Sequence, residues 1–330
     1  MKIVCFVTMD VEVDKDPRYR VSSPPSFSNV TEAIPNLLEP LFLEYNVRPT
    51  YLISSEVMQD PPSVHTLKNL KSEHELGSHG HAELLGEDIK VNRFTGMLMN
   101  DFLNDYATEV QASKLQWLTK LFIETFGFAP KSFRGGRFGI NAQTLMILDE
   151  QGYTVDSSIT PGRYWYNSKQ VVNYIMAPEQ PYRPKVDDPL SPGSLQLWEV
   201  PVSCWTPRAA IRRLMDLQVK LMQSNFRLPQ ILEKILHTTL FRRCWLRPTS
   251  NQPGTLIRLA EEYLRRHSHK STVIINIMFH TMEMVPGASP YSSSPREVNH
   301  IVNNLRAMLN YFTHRQAKFL TLSEIPACLS

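Results

Sequence analysis

The chain has 330 residues and a formal net charge of +3, and 42% of its residues are hydrophobic and 20% charged. This length allows one large α/β domain or two smaller ones, and the composition supports a substantial core and excludes a disordered chain. The near-balanced charge indicates no particular partner for the chain as a whole.

The first predicted element is a buried strand that ends in acidic residues. Residues 2–9 (Lys-Ile-Val-Cys-Phe-Val-Thr-Met) are mostly apolar and β-favouring, and Asp10, Glu12 and Asp14 follow at once. Buried carboxylates are costly unless they are paired or bind a metal ion, so this position indicates a functional site. The carboxyl ends of strands are also where α/β enzymes carry their catalytic groups.

Strands and helices alternate through the rest of the chain, which predicts a parallel sheet or barrel. Helices are predicted over residues 32–45 (kinked by prolines), 62–72, 105–126, 141–151 and 297–312. Strands are predicted over residues 50–53, 75–77, 132–133, 154–155, 195–200, 272–279 and 318–322. The resulting seven or eight β/α units fit an α/β barrel in size.

Residues 205–248 do not fit a barrel unit, because the segment is longer than a crossover needs and is predicted to form inserted helices. It holds nine basic and two acidic residues among many Leu, Ile, Met and Phe. We favour a solvated face of helices over a local core. A lid that attracts an anionic glycan and a patch that rests on acidic lipid remain open alternatives. Nucleic acid is disfavoured, since no recognition motif accompanies the charge.

Polar and titratable residues follow nearly every predicted strand. Because the carboxyl ends of parallel strands meet at one edge of a sheet, we expect these side chains to gather there. In chain order they are Asp10, Glu12, Asp14, His79, His81, Glu83, Arg134, Arg137, Asp156, Glu199, His280 and Glu283.

This set has the components of a metal-assisted hydrolase. A carboxylate and two imidazoles suit Zn²⁺ or a similar divalent ion and leave a position open for water. Such an ion lowers the pKa of its water and polarises a carbonyl oxygen. A second carboxylate can accept the proton of the water, and a histidine on the far side can protonate the leaving group. The predicted reaction is hydrolysis of an amide or ester.

Four short motifs also resemble those of a known family. They are Thr-Met-Asp-Val-Glu at 8–12, Gly-Ser-His at 77–79, Phe-Arg-Gly-Gly-Arg-Phe-Gly at 133–139 and Phe-His at 279–280. In this order they are similar to the motifs of the polysaccharide deacetylases, the NodB-like superfamily of nodulation-factor, chitin and peptidoglycan N-deacetylases. The matches recur from residue 3 to roughly residue 291 and leave out residues 205–248.

The resemblance implies a distorted (β/α) barrel of seven or eight units in a single catalytic domain over residues 1–330, with residues 205–248 as a basic helical insertion. It also implies the role of each matched residue. Asp10 would be the general base, Arg134 the residue that orients this base, and His280 the general acid. Glu12 and His79 would bind the metal ion, for which Zn²⁺ is the expected identity.

One departure from the family pattern leaves the third metal ligand open. The family has two histidines four residues apart, whereas Glu83 stands four residues after His79 and the nearest second histidine is His81. We favour His81, because a second imidazole suits Zn²⁺ better than a further carboxylate, and keep Glu83 as the alternative. If neither residue binds, we expect a non-catalytic, sugar-binding descendant.

Three further residues are candidates for substrate contact. Arg137 and Asp156 lie at the same predicted rim, where they would either bind substrate or brace the motif loops. Trp165, in the Tyr-Trp-Tyr run at 164–166, would either stack on a sugar ring or belong to a small satellite core.

The expected function is removal of N-acetyl groups from an amino sugar of a polysaccharide, glycolipid or cell-envelope precursor. Hydrolysis of a small cyclic amide or ureide on the same fold is the alternative activity. The sequence predicts neither a signal peptide nor a membrane span, which favours the cytoplasm. A lipid-linked sugar at the inner membrane face, with peripheral contact through residues 205–248, fits this location.

Overall fold

The structure is a computed structural model that describes residues 1–86, 101–167, 169–224, 244–249 and 252–329. Residues 225–243, which belong to the predicted helical insertion, lie outside the described residues. Within the described parts of the chain, no helix is long and apolar enough to cross a membrane.

The described residues form one parallel sheet and two small antiparallel pairs. The strands are β1 (Lys2–Val11), β2 (Thr50–Ile53), β3 (Glu75–Gly80), β4 (Ser132–Gly135), β5 (Val155–Asp156), β6 (Tyr164–Tyr166), β7 (Val171–Asn173), β8 (Trp198–Glu199), β9 (Cys204–Trp205), β10 (Cys244–Trp245), β11 (Thr272–His280) and β12 (Lys318–Phe319). The sheet has the order β11-β1-β2-β3-β4-β5-β8, and β12 also pairs with β1. β6 pairs with β7, and β9 pairs with β10.

The sheet curls into a half-barrel, which confirms the predicted distorted (β/α) barrel. Its two ends approach each other just after β8, where Ser203 N donates to Asn276 O at 3.0 Å and Asn276 N donates to Ser203 Oγ at 2.8 Å. All strands of the sheet run parallel, so their carboxyl ends share one edge. The residues that follow the strands are thereby brought to the same side of the molecule.

Helices connect the strands. They are α1 (Glu39–Glu44), α2 (Ser55–Met58), α3 (Pro61–Lys68), α4 (Thr108–Phe126), α5 (Ala142–Glu150), α6 (Ala209–Ser224), α7 (Pro253–Arg266), α8 (Pro295–His314) and α9 (Ile325–Leu329). The kinked helix predicted over residues 32–45 is a π-helix over Asn29–Leu38, containing Pro35, that continues as α1. Asn141 caps α5, because its Oδ1 accepts a hydrogen bond from Thr144 N at 2.9 Å.

Strand β1 shows how the fold positions its acids. Side chains alternate along a strand, so even-numbered residues of β1 share one face. Val4 and Phe6 pack in an apolar cluster with Leu322 and Ile325 from the C-terminal segment. Further along the same face, Thr8 is fully buried and hydrogen-bonded to Asn276 at 2.9 Å. Along this face the side chains are therefore apolar first, then polar, and finally acidic at the carboxyl end.

Several elements differ from the sequence predictions. Helices α2 and α7 and both antiparallel pairs were not predicted. Helix α2 and the paired strands are short, whereas α7 spans 14 residues and buries Leu256, Leu259 and Tyr263 on one face, a pattern that sequence reasoning missed. Helix α4 begins at Thr108, three residues later than predicted, and Val110 in its first turn is 42% exposed. Within residues 205–248, one inserted helix, α6, is among the described residues.

Candidate metal centre and active site

Asp10 lies at the carboxyl end of β1 directly beside His280 of β11 in the sheet register. Its Oδ1 accepts a hydrogen bond from Arg134 Nη1 at 2.6 Å. Burial raises the pKa of this carboxyl, but Arg134 and the imidazoles of His79 and His280 outweigh burial and hold the pKa below its usual range. The second oxygen, Oδ2, lies 3.9 Å from His79 Nε2 and 3.7 Å from His280 Nε2. Asp10 is thus an ionised carboxylate with one oxygen fixed and one facing a cluster of imidazoles.

Glu12, His79 and His81 converge on one point. Glu12 Oε1 lies 3.1 Å from His79 Nε2 and 3.0 Å from His81 Nε2, and all three residues are buried. One ligand atom from each lies within 4.8 Å of the others, so the structure has a buried potential metal site. Two imidazoles and a carboxylate form a donor set of the kind that zinc enzymes use.

The outer contacts of the two histidines fit a metal ion at this point. His79 Nδ1 donates to the carbonyl oxygen of Arg134 at 2.9 Å, which leaves Nε2 with a free lone pair. His81 Nδ1 lies 3.5 Å from Glu83 Oε1, so a carboxylate stands behind this imidazole. Metal-binding histidines commonly make such second hydrogen bonds to carbonyl or carboxylate oxygens. In the absence of a bound ion, burial lowers the pKa of His81, but Glu12 outweighs it and raises the pKa to about 9.

The structure separates the two candidates for the third ligand. His81 directs Nε2 toward Glu12, whereas Glu83 forms an ion pair with Arg137 and contacts the opposite nitrogen of His81. Burial raises the pKa of Glu83, but His81 and Arg137 hold it at about 2. The geometry therefore favours His81 over Glu83 as the third metal ligand.

Glycine in the motif at 133–139 allows two loops to meet at this site. A Cβ on Gly136 would lie 2.8 Å from both the Cα and the Nδ1 of His81. The next residue, Arg137, adopts φ 50°, in the left-handed region. This turn directs Arg137 toward Glu83 and Asp101, with 3.4 Å from its Nε to Asp101 Oδ2. Arg137 thus braces the loops, and its contact with substrate remains a prediction.

Arg134 is fully buried at the end of β4, and its guanidinium makes four hydrogen bonds. Besides Asp10, its guanidinium donates to Ser157 O at 2.7 Å, to Ser157 Oγ at 2.9 Å and to Thr8 Oγ1 at 2.9 Å. These bonds fix the plane of the guanidinium and so fix the Asp10 carboxylate that it holds.

His280 lies beside Asp10 and Glu12, with which it forms a second group of potential metal ligands. Its Nε2 is 3.7 Å from Asp10 Oδ2 and 3.7 Å from Glu12 Oε1, and its side chain is 20% exposed. On the other side of the ring, Nδ1 lies 3.2 Å from Glu283 Oε1 and 3.2 Å from Arg247 Nη2. The structure therefore brings Asp10, Glu12 and His280 together, along with the two histidines and Arg134.

Sequence reasoning missed two cations at this site. Lys15 Nζ contacts Glu12 Oε2, and this contact helps to hold the pKa of Glu12 well below its usual range, although burial raises it. Arg247 pairs with Glu283, on the far side of His280. Lys15 follows the first motif by three residues, but nothing in its spacing distinguishes it from a surface lysine. Arg247 belongs to residues 205–248, which carry no family motif.

Asp156 and Trp165 are the remaining predicted substrate residues. Asp156 is fully buried and accepts hydrogen bonds from Ser158 Oγ at 2.7 Å and Ser158 N at 3.1 Å, which gives it a bracing role. Trp165 is half-buried, stacks on Phe138 with ring centroids 5.0 Å apart, and lies 6.5 Å from the ring of Trp245. Substrate contact by Asp156 and by Trp165 remains a prediction.

No family model and no curated protein matches the chain, but solved structures do. A Parabacteroides distasonis protein assigned as a glycoside hydrolase/deacetylase is 11% identical in sequence, with a TM-score of 0.59. The similarity covers 98% of this chain and 70% of the Parabacteroides chain. A Pseudomonas aeruginosa protein assigned as a polysaccharide deacetylase is 12% identical, with a TM-score of 0.53. This similarity covers 99% of this chain and 89% of the Pseudomonas chain. Puue allantoinase is 10% identical, with a TM-score of 0.50, over 99% of this chain and 89% of the allantoinase chain.

These similarities define the class of fold. The chain has the fold found in polysaccharide deacetylases, which confirms what the motifs predicted about its architecture. At identities this low the likeness concerns the fold, and the chemistry has to be argued from the site itself.

Proposed function

We propose that this protein is a metal-dependent hydrolase that removes N-acetyl groups from an amino sugar of a polysaccharide, glycolipid or cell-envelope precursor. The observation that carries the proposal is that a carboxylate, an imidazole and a potential metal site meet at the carboxyl edge of the sheet. Asp10, held by Arg134 at 2.6 Å, lies 3.7 Å from His280, and both residues lie beside the Glu12–His79–His81 set. A base, an acid and a potential cation site within contact of one another are what amide hydrolysis requires.

Glu12, His79 and His81 are the residues that would hold the ion, and their donor atoms favour Zn²⁺. When bound, such an ion supplies Lewis-acid polarisation of a carbonyl oxygen and lowers the pKa of water. The hydrogen bond from His79 to the Arg134 carbonyl keeps Nε2 available to it.

The acid–base steps belong to the chain's own side chains. Asp10 Oδ2 accepts the proton of the attacking water, because Arg134 occupies Oδ1 and keeps the carboxylate ionised. His280 Nε2, 3.7 Å from Asp10 Oδ2, takes this proton from Asp10 and donates it to the departing amine nitrogen as the tetrahedral adduct collapses, which leaves both side chains as they began. The fixed geometry of Arg134 and Glu283 orients the base and the acid before substrate arrives.

The half-buried ring of Trp165, packed against two core aromatic residues, supports a sugar substrate. Phe138 comes from the arginine motif itself, and it packs against Trp165 and Trp245 with centroids 5.0 Å and 6.3 Å away. Aromatic faces suit the apolar faces of sugar rings. A lipid-linked sugar is included because α6 exposes Leu214, Leu217 and Arg213, a combination that suits peripheral contact with a cytoplasmic membrane surface.

Acetate release from an N-acetylglucosamine oligomer tests the proposal. The purified protein, stripped with a chelator and reloaded with Zn²⁺, is expected to bind one equivalent and to release acetate. His79→Ala should lose both properties, while His267→Ala, a buried histidine of another cluster, should keep both. A zinc-loaded wild-type protein that releases no acetate from any amino-sugar substrate would contradict the assignment.

The second candidate is hydrolysis of a small cyclic amide or ureide, which the structural likeness to an allantoinase favours. The same base, acid and cation site would serve both reactions, since each cleaves a C–N bond. Parallel assays with allantoin and the oligosaccharide distinguish them. Allantoin turnover without acetate release would transfer the assignment to this second activity.

A further inference from the structure

Residues 205–248 return to the barrel next to His280. β10 pairs with β9, and Leu246 N donates to Ser203 O at 2.9 Å, so the segment re-enters where β8 and β11 approach each other. Arg247 follows directly and is 8% exposed. Its guanidinium lies 5.2 Å from the ring of Trp245 and 5.0 Å from that of Tyr291. Two aromatic rings thus restrict where this guanidinium can point.

Glu283 joins Arg247 to His280. Its carboxylate is fully buried, and Oε1 both accepts from Arg247 Nη2 and lies 3.2 Å from His280 Nδ1. Its other oxygen, Oε2, has no hydrogen-bond partner among the described residues. Burial raises the pKa of Glu283, but Arg247 and His280 outweigh burial and keep it below its usual range. An ionised Glu283 can only accept hydrogen bonds.

These contacts select one tautomer of His280. Arg247 Nη2 also lies 3.2 Å from Nδ1, so this nitrogen has a donor and an acceptor within reach. Because Arg247 already donates to Glu283, and an ionised Glu283 needs donors, a proton on Nδ1 gives the buried carboxylate a second hydrogen bond. The ring then presents Nε2 toward Asp10 and Glu12, at 3.7 Å from each.

We propose that Arg247 is a positioning residue for the general acid: it holds the Glu283 carboxylate in place, and Glu283 fixes the imidazole of His280 with Nε2 toward the reacting group. This inference rests on the function proposed above for His280. It gives residues 205–248 a share in the active site, although these residues carry none of the motifs that resemble the deacetylases.

A buried ion pair that only stabilises the fold is the competing interpretation, and the chain contains a matched control. Arg212 also comes from residues 205–248 and also pairs with a buried glutamate, Glu179, at 3.3 Å. Arg212→Gln therefore removes a comparable charge without touching His280. Arg247→Lys keeps the charge at Arg247 and loses only its planar geometry.

Nitrogen-15 NMR of histidine-labelled protein tests the positioning directly, with the His280 signals assigned by their loss in His280→Gln. In the wild type, neutral His280 is expected to carry its proton on Nδ1. Arg247→Gln and Glu283→Gln should shift the ring toward the Nε2-protonated tautomer, whereas Arg212→Gln should leave it unchanged. An unprotonated Nδ1 in the wild type, or an unchanged tautomer in both variants, would overturn the proposal.

Kinetics provide the second readout. In Arg247→Gln, kcat for acetate release should fall about 100-fold, in the range of a lost acid–base contribution, with little change in KM. Arg247→Lys should recover part of this loss, and Arg212→Gln should retain wild-type kcat. Equal kcat in Arg247→Gln and Arg212→Gln would refute the positioning role. If the wild type releases no acetate, the proposed function fails, and the NMR tautomer alone decides this inference.

Discussion

Two buried clusters of arginine, histidine and acid lie at different parts of the barrel. The first is the candidate active site at the carboxyl edge of the sheet. The second, the Glu179 cluster, consists of Glu179, Arg212, Arg266 and His267. It lies near the start of β11, where the neighbouring Gln180 accepts a hydrogen bond from Ile274 N at 2.9 Å. Both clusters contain the same kinds of residues, but their hydrogen-bonding differs.

In the Glu179 cluster, both oxygens of the carboxylate accept hydrogen bonds. Glu179 Oε1 accepts from Arg266 Nη2 at 2.8 Å and from Arg212 Nη1 at 3.3 Å, while Oε2 contacts Arg266 Nε and lies 3.2 Å from His267. In the active site, by contrast, Asp10 Oδ2 has imidazoles near it but none within hydrogen-bond distance. A saturated cluster stabilises a fold, whereas a cluster with an unused acceptor facing a pocket can act on a ligand.

The largest expected effect is on activity, and it distinguishes the active-site cluster from the Glu179 cluster. Asp10→Asn removes the proposed base while keeping the side-chain shape, so kcat for acetate release should fall by about 10³-fold or more. Zinc should still bind, because Asp10 is not among the proposed ligands. Glu179→Gln should keep wild-type kcat. Assays of acetate release and metal content on all three proteins check this, and loss of zinc from Asp10→Asn would contradict the assignment of the base.

The second prediction concerns the third metal ligand. His81→Ala should weaken zinc binding by well over 100-fold, because it removes a donor atom that faces Glu12 at 3.0 Å. Glu83→Gln should weaken binding by only about 10-fold, because it alters an outer hydrogen bond. Competition with a chromophoric chelator measures both affinities. If the two losses come in the reverse order, Glu83 is the ligand and His81 supports it.

Much of this site could be predicted because it follows from strand geometry. Asp10 and Glu12 extend the alternation of β1, and the parallel sheet brings the residues after β3, β4 and β11 to the same edge. The motif glycine at 136 also has a local cause, since His81 approaches it too closely for a side chain. Short-range patterns of this kind can be recognised in a single sequence.

The supporting cations could not be predicted, because their positions depend on tertiary structure. Arg247 reaches Glu283 only because residues 205–248 re-enter the barrel beside β11. Likewise, the choice between His81 and Glu83 depended on which nitrogen faces Glu12, a matter of side-chain orientation that spacing does not encode. The saturation of Glu179 also depends on partners distant in sequence.

The third prediction turns to stability, where the Glu179 cluster should have the greater influence. Glu179→Gln leaves Arg212 and Arg266 without their shared carboxylate and should lower the free energy of unfolding by about 2 kcal/mol. This is less than for a fully buried pair, because Arg266 is 30% exposed. Urea unfolding monitored by circular dichroism measures the change. A variant as stable as the wild type would show that the cluster contributes little to folding.

The fourth and smallest effect is the pH dependence of stability, and it arises from a pair of buried carboxyls. Asp156 and Glu199 are register partners on β5 and β8, and both are fully buried. Burial, and then Asp156 itself, raises the pKa of Glu199 well above its ordinary value of 4.5, and burial also raises the pKa of Asp156. The pair therefore binds a proton more tightly than separate carboxyls do, unlike Asp10, whose pKa Arg134 helps to lower.

The raised pKa of this pair makes the stability of the fold depend on pH. The folded pair retains a proton that separate carboxyls in the unfolded chain release near their ordinary pKa. The stabilisation is thus fully present below that pKa and is lost as the pH rises through the raised pKa of the folded pair, by at most about 1.4 kcal/mol per pH unit. Glu199→Gln keeps a donor toward Asp156 but cannot ionise, so its melting temperature should fall less than that of the wild type between pH 5 and pH 8. Parallel thermal melts measure the difference, and identical slopes for the two proteins would mean that the carboxyls are not coupled.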